Sequence, residues 1–226
     1  MQSIIRKLLF RFVQVIFFFL AEVRVEGLEN VPRYGGAILA PNHLSRLDSP
    51  LMFQIIRRSD LTGLVGDSYK KYWIMRWLVA AVGGIWINRQ EADLQALKTA
   101  TEFLQSGGLL GIAPEGTRSR TGGLIPTKTG VAYLANKARV PVIPIAITGT
   151  EDALKKLSHF HRPKIKVVFG SVLVLEPLVR GSRSDSLQRN TDEIMCQIAA
   201  LLPEKYHGVY KENPRVIEIL ANEGVE

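Results

Sequence analysis

The sequence predicts an α/β fold, a mixed and largely parallel sheet flanked by helices, with a membrane-interface helix at its N-terminus. Three observations predict it. Short apolar runs of strand length alternate with segments of helical spacing through most of the chain, the pattern of strands joined by helical crossovers. Histidine, arginine and a glutamate-glycine pair each directly follow one of those runs, as in sheets whose ligands bind beyond the carboxyl ends of strands. Residues 1–20 stand apart, strongly apolar but broken by Arg11 and Gln14.

The elements follow in chain order. A helix over 3–20 carries the apolar run Leu8 to Leu20. At about 20 Å it is short against roughly 30 Å of hydrocarbon, so it does not span. Arg11 inside the run and the lack of a small-residue cleavage site argue against a signal peptide. An interfacial anchor over 1–21, with Arg6, Lys7 and Arg11 at headgroup level, fits best; a buried core helix is the alternative. Strands are predicted near 22–27, 36–41, 61–66, 84–88, 108–113, 141–148 and 165–175. Further helices are predicted near 50–58, 70–80, 91–106, 129–139 and 185–201. In the 91–106 helix Leu94, Leu97 and Leu104 recur at helical spacing, Glu91 and Asp93 suit its positive end, and Gly107-Gly108 stops it. Trp73 and Trp77 lie four apart on one helix face, which either touches lipid or packs in the core. Pro141 and Pro144 suit an edge or bulged strand better than a central one.

At 226 residues, the chain suits one domain with a full core, here residues 22–226 behind the anchor. A net charge of +8 implies an anionic partner. Aromatic residues do not alternate with basic ones and no nucleic-acid motif appears, so the reading is an anionic membrane surface and no nucleic acid. The single cysteine, Cys196, forms no intramolecular disulfide, which favours a reducing compartment. It sits among Ile194, Ile198 and Leu201 as a packing residue. His159 and His161 alternate in the basic segment Lys155 to Lys166 without nearby cysteine or carboxylate. They read as a solvated cationic surface, and no metal is expected.

The segment Asn42-His43-Leu44-Ser45-Arg46-Leu47-Asp48-Ser49-Pro50 carries the chemistry. It leaves the apolar run Ala37-Ile38-Leu39-Ala40. Pro50 fixes its own φ and pushes Ser49 out of the helical region, so Ser49 reads as an N-cap and Pro50 as the first helical residue. On one continuous helix residues five apart diverge by roughly 140°. The strand-turn-helix break lets His43 and Asp48 face each other, giving a base near neutral pH and a carboxylate to orient it.

Asn-His, four residues, then Asp resembles the first signature of the glycerolipid acyltransferases. Gly84-Ile85-Trp86-Ile87-Asn88-Arg89, Ala113-Pro114-Glu115-Gly116-Thr117-Arg118-Ser119 and Val140-Pro141-Val142-Ile143-Pro144-Ile145-Ala146 resemble the next three in order. Alanine stands at 113 where an aromatic is common. The resemblance covers roughly residues 36–149 and implies a glycerol-3-phosphate acyltransferase-like fold. It implies acyl transfer from acyl-CoA or acyl-carrier protein, as co-substrate, to the hydroxyl of a membrane lipid acceptor, most simply 1-acylglycerol 3-phosphate, giving phosphatidate. No cofactor is implied. His43 and Asp48 would be catalytic. Arg89 and Arg118 would hold the acceptor phosphate, and Glu115 its glycerol portion or an arginine. Gly116 and Thr117 would complete the substrate-binding loop, Gly116 through a backbone conformation or close approach that a side chain would block. The expected location is the cytoplasmic face of the cell membrane, peripheral to it.

Overall fold

The computed structural model describes residues 2–89 and 93–223. Seven strands form one sheet: β1 (Glu22–Glu26), β2 (Ala37–Pro41), β3 (Leu61–Gly66), β4 (Ile85–Ile87), β5 (Leu109–Gly111), β6 (Val142–Thr148) and β7 (Lys164–Phe169). Their order is β1-β7-β6-β2-β5-β3-β4. Every neighbouring pair runs parallel except β6 and β7. The largely parallel α/β sheet read from the sequence is therefore the observed one.

Side chains alternate across the sheet. Ile38 and Ala40 face a core shared with α4 (Leu94–Gln105), α5 (Gly130–Ala138), α7 (Arg183–Ala200) and α8 (Pro214–Glu223). Ala37 and Leu39 face a second core shared with α1 (Gln2–Leu20) and α2 (Asp48–Ile55). β2 is covered on both faces, which is why it reads as an unbroken apolar run.

Several local expectations are corrected. Pro141 and Pro144 do not mark an edge strand, because β6 lies between β7 and β2. The bulge they implied exists, and it lies in the segment that pairs with β6. Ala146 pairs with Val168 and Ile145 with Phe169, but Val142 pairs with Leu173, one residue beyond a continuous ladder. The ladder breaks where Pro144 has no N–H to give, and Gly170 instead donates its N–H to the Pro144 carbonyl at 2.8 Å. β7 accordingly stops at Phe169, short of 175. The second helix begins at Asp48 with Leu47 as its cap, not Ser49. Asp48 turns the chain early by accepting the N–H groups of Leu44 and Ser45. Pro50 then falls in the first turn, where its missing N–H costs nothing.

In α4 the cap is Asp93, which accepts from Ala96 N and from Asn88 N, both at 2.9 Å, tying the helix to the end of β4. Glu91 lies outside the described residues. Leu94 faces solvent, and the buried stripe is Ala96, Ala100, Thr101 and Leu104. Helices α6 (Ala153–Ser158) and α8 were not predicted; the six residues of α6 are too few for its periodicity to stand out.

Helix α1 buries one side only. Phe17 belongs to the core and Phe10 stacks its ring on Phe53 at 5.5 Å. Leu8, Phe12, Phe18 and Phe19 are exposed, Phe12 at 63%. The helix is thus neither a fully buried core helix nor uniformly free, and Phe17 is not part of its outer face. Arg6 and Lys7 lie outside the described side chains. Among the described residues, no helix is long and apolar enough to cross a membrane. Trp73 and Trp77 of α3 (Trp73–Val82) are 70% and 49% exposed, so they are not core residues.

Candidate active site

Because β2, β4, β5 and β6 run parallel, the residues that leave them share one edge of the sheet. His43 follows β2, Arg89 follows β4, Glu115 to Arg118 follow β5, and Thr150 follows β6. The topology places the candidate site residues His43, Arg89 and Glu115 to Arg118 at one end of the sheet.

His43 and Asp48 face each other, with Nδ1 2.8 Å from Asp48 Oδ2. The carboxylate is only 2% exposed and fully engaged. Its Oδ2 also accepts from the Leu44 and Ser45 N–H groups at 2.8 Å, and its Oδ1 accepts from Thr150 Oγ1 at 2.6 Å. Asp48 therefore cannot swing away from His43. With Nδ1 donating to it, the imidazole carries its lone pair on Nε2. The histidine side chain keeps 20% of its surface, enough for a reactant to reach that nitrogen. A fixed carboxylate partner behind an imidazole that a reactant can reach is suited to general-base chemistry.

The backbone around His43 is pinned from three sides. Its N–H donates to Glu115 Oε1 at 2.8 Å, its carbonyl accepts from Ser119 N at 2.8 Å, and Asn42 next to it bonds both the N–H and the carbonyl of Ile147. Asn42 thus clamps β2 to β6 and does no chemistry of its own. The second oxygen of Glu115 accepts from Ile125 N at 3.3 Å. Glu115 is 3% exposed. Burial pushes its carboxyl up to about 7 and repulsion from Asp48 adds to that, against the pull of its two N–H donors. Neither Glu115 oxygen contacts an arginine among the described residues.

Three cations border this edge. The Arg89 guanidinium lies against Gly66 at the end of β3, where an added Cβ would meet Arg89 Nε at 3.0 Å. Arg118 is half-buried in the loop after Glu115, and Thr117 between them is exposed. Lys128 bridges the two arms: its Nζ donates to the Arg89 carbonyl at 3.0 Å, and its N–H to Pro114 O at 3.3 Å. Gly116 has φ +66 beside the Lys128 stem, a conformation that favours glycine. No carboxylate pairs with Arg89, Arg118 or Lys128 among the described residues. Two further positions were not read from the sequence. Thr150 follows a strand as His43 does, so the same rule applied to β6 would have found it. Lys128 lies in a loop with no periodic or motif signal.

The C-terminal segment closes the back of the loop. Leu124 N–H donates to the Tyr206 carbonyl, Val209 N–H donates to the Leu124 carbonyl, and the Tyr206 hydroxyl donates to Glu151 Oε1 at 2.6 Å.

The Ser45 hydroxyl and the Cys196 thiol are placed differently. Ser45 Oγ accepts from Leu47 N. Cys196 is buried in α7, and burial with Glu193 and Asp192 nearby pushes its thiol up to about 11, away from the reactive thiolate. Among the described residues no group of histidine, cysteine or carboxylate side chains could hold a metal ion.

Comparison with known proteins agrees with this geometry. A family model described as Acyltransferase matches residues 22–148, more than half of the chain. The 1-acyl-sn-glycerol-3-phosphate acyltransferase of Salmonella typhimurium is 32% identical over 187 residues, covering 79% of this chain and 70% of that protein. The enzyme of the same name from Limnanthes douglasii is 32% identical over 155 residues, covering 66% of this chain. The chain spans about half the length of that plant relative, 53%. The crystal structure of PlsC, the 1-acyl-sn-glycerophosphate acyltransferase of Thermotoga maritima, superposes with a TM-score of 0.64 at 26% identity. It covers 84% of this chain and 76% of that one. With a family match that spans β1 to β6 and a shared fold, this chain belongs to the acyltransferase family that includes the 1-acyl-sn-glycerol-3-phosphate acyltransferases.

Proposed function

We propose that this protein transfers a fatty acyl group from acyl-CoA or acyl-carrier protein to the free hydroxyl of 1-acylglycerol 3-phosphate, giving phosphatidate. The observation that carries it is the His43–Asp48 pair at 2.8 Å, seated beside three cations at one sheet edge. The acceptor hydroxyl gives its proton to His43 Nε2 while its oxygen attacks the thioester carbonyl. Asp48 stabilises the imidazolium so formed. The tetrahedral intermediate collapses with loss of the thiolate, which takes the proton back from His43. No acyl-enzyme is formed. Arg89, Arg118 and Lys128 hold the acceptor phosphate, a role suited to the planar fork of arginine. Gly116 and Thr117 shape the loop that carries Arg118, and Glu115 fixes it against the backbone of His43. The protein rests on the cytoplasmic face of the membrane through the outer face of α1, residues 1–21 forming the anchor and 22–226 the catalytic domain.

The test is thiol release and lipid product formation by the purified protein against a panel of lyso-lipids. His43→Ala should lower turnover by roughly 10²–10⁴ with an unchanged melting temperature. More than a tenth of wild-type kcat in that variant would remove His43 as the base. A preference for an acceptor without an exposed phosphate monoester would assign the cations to another lysophospholipid.

A further inference from the structure

The segment between β6 and β7 holds a feature that the acyl-transfer reading does not use. Phe160 is 100% exposed, so its ring touches nothing in the protein. Its backbone sits at φ +57, the left-handed region that a bulky residue rarely enters. An aromatic held in water on a disfavoured backbone has no stabilising role within the fold. Around it Lys155, Lys156, His159, His161, Arg162 and Lys164 are all exposed. The nearby acids are Glu22, which pairs in register with Lys164, Glu151, engaged with Tyr206 and Gly149, and Asp152 at the start of α6.

Topology says where this loop points. β7 runs antiparallel to β6 and begins opposite its end, Lys166 pairing with Thr148. The loop before β7 therefore lies at the same sheet edge as His43. The end of α1 arrives at that edge too, because Glu22 pairs with Lys164 and donates its N–H to the Pro163 carbonyl. Arg162 joins the two, with Nη2 donating to the Phe18 and Ala21 carbonyls at 2.8 and 2.9 Å. Phe18 and Phe19 are exposed beside that junction.

We propose that Phe160 is an insertion wedge that seats the α6–β7 loop in an anionic bilayer, extending the outer face of α1 and turning the His43 edge toward the lipid. The proposal rests on the membrane-surface reading above. An acidic carrier protein would also suit the basic residues. The bilayer is favoured because the loop is bonded to the end of the apolar helix and presents an unpartnered ring.

The test uses the full chain with Phe160→Cys carrying an environment-sensitive fluorophore; the other thiol, Cys196, is 1% exposed. Vesicles of phosphatidylcholine and phosphatidylglycerol should shift its emission to the blue, and lipid-borne quenchers should quench it. Phe160→Ser should weaken vesicle binding by about tenfold or more, the effect of exposing one buried aromatic, while turnover on a short-chain soluble acceptor stays unchanged. Tyr34, 88% exposed and just ahead of the opening strand residue Ala37 at the opposite sheet edge, serves as control: Tyr34→Ser should change neither. Vesicle binding with the label left in water would overturn the wedge and leave the membrane reading standing. No vesicle binding at all would overturn both. Shielding of the label by an acidic carrier protein but not by vesicles would make the loop a donor-docking surface instead.

Discussion

Asp48→Asn tests the dyad at the level of single hydrogen bonds. All four neighbours of this carboxylate are donors: His43 Nδ1–H, Leu44 N–H and Ser45 N–H on Oδ2, and the Thr150 hydroxyl on Oδ1. An asparagine keeps one oxygen. Placed at the Oδ2 position, that oxygen still accepts all three N–H groups. The new NH2 group then faces Thr150, whose hydroxyl rotates and accepts. The histidine tautomer therefore survives, and only the negative charge is lost. A hydrogen bond to a charged group contributes about 1.5–3 kcal/mol, which at about 1.36 kcal/mol per decade is roughly a 10- to 150-fold fall in kcat. A triad whose tautomer is inverted by the same change loses roughly 10⁴. Thr150→Val should slow turnover only a few-fold alone, but in the Asp48→Asn background it leaves the amide without an acceptor, so the double variant should lose more than the product of the two. Steady-state kcat at saturating donor and acceptor, with nitrogen NMR of the His43 ring, reads both quantities. A loss near 10⁴ with Nδ1 unprotonated would refute the Thr150 argument, and a loss under threefold would refute the importance of the charge.

Glu115 titrates near 7 when folded against an ordinary 4.5, so the folded state holds that proton more tightly than the unfolded one. Its contribution to stability is complete below about pH 4.5 and is lost as pH rises through 7, by up to about 3 kcal/mol. Glu115→Gln should flatten that part of the curve, and urea melts of both proteins at pH 5.5 and 8.5 will show whether it does. Arg89→Ala, Arg118→Ala and Lys128→Met should each raise the KM for the phosphorylated acceptor by roughly ten- to a hundredfold with little effect on the donor KM; a defect in the donor KM alone would move these cations to the donor phosphates. Replacing Phe12, Phe18 and Phe19 together by serine should release the protein from vesicles while leaving its melting temperature within a few degrees, since their rings are exposed and Phe17 stays in the core; unchanged flotation would remove α1 as the anchor.

The legible part of this molecule was the part with local causes. β2 announced itself because both faces are buried, and His43 and Asp48 because a strand-to-helix break set their spacing. What stayed illegible depends on distant partners. Pro144 looked like an edge residue because a sequence does not show that the opposing strand bulges beside it, with a glycine 26 positions later donating to its carbonyl. Ser49 looked like the cap because the competing acceptor, Asp48, serves two backbone groups behind it. Leu94 fitted the helical period but opens α4 on its solvent side. Thr150 and Lys128 reach the candidate site only through the parallel order of β2, β4, β5 and β6.

The segment that backs Leu124 has a consequence for synthesis. His43, Asp48 and Glu115 are all translated before residue 120, yet the wall behind the Glu115 loop is Tyr206 to Val209. Domains fold as their chains emerge, so the sheet edge can assemble while its backing is still untranslated. A chain released at residue 200 should display the dyad with the loop at 121–128 unbraced, open to protease and slow in turnover. Activity would then be acquired only once Tyr206 to Val209 have joined the fold, after the apolar helix that meets lipid has long been made.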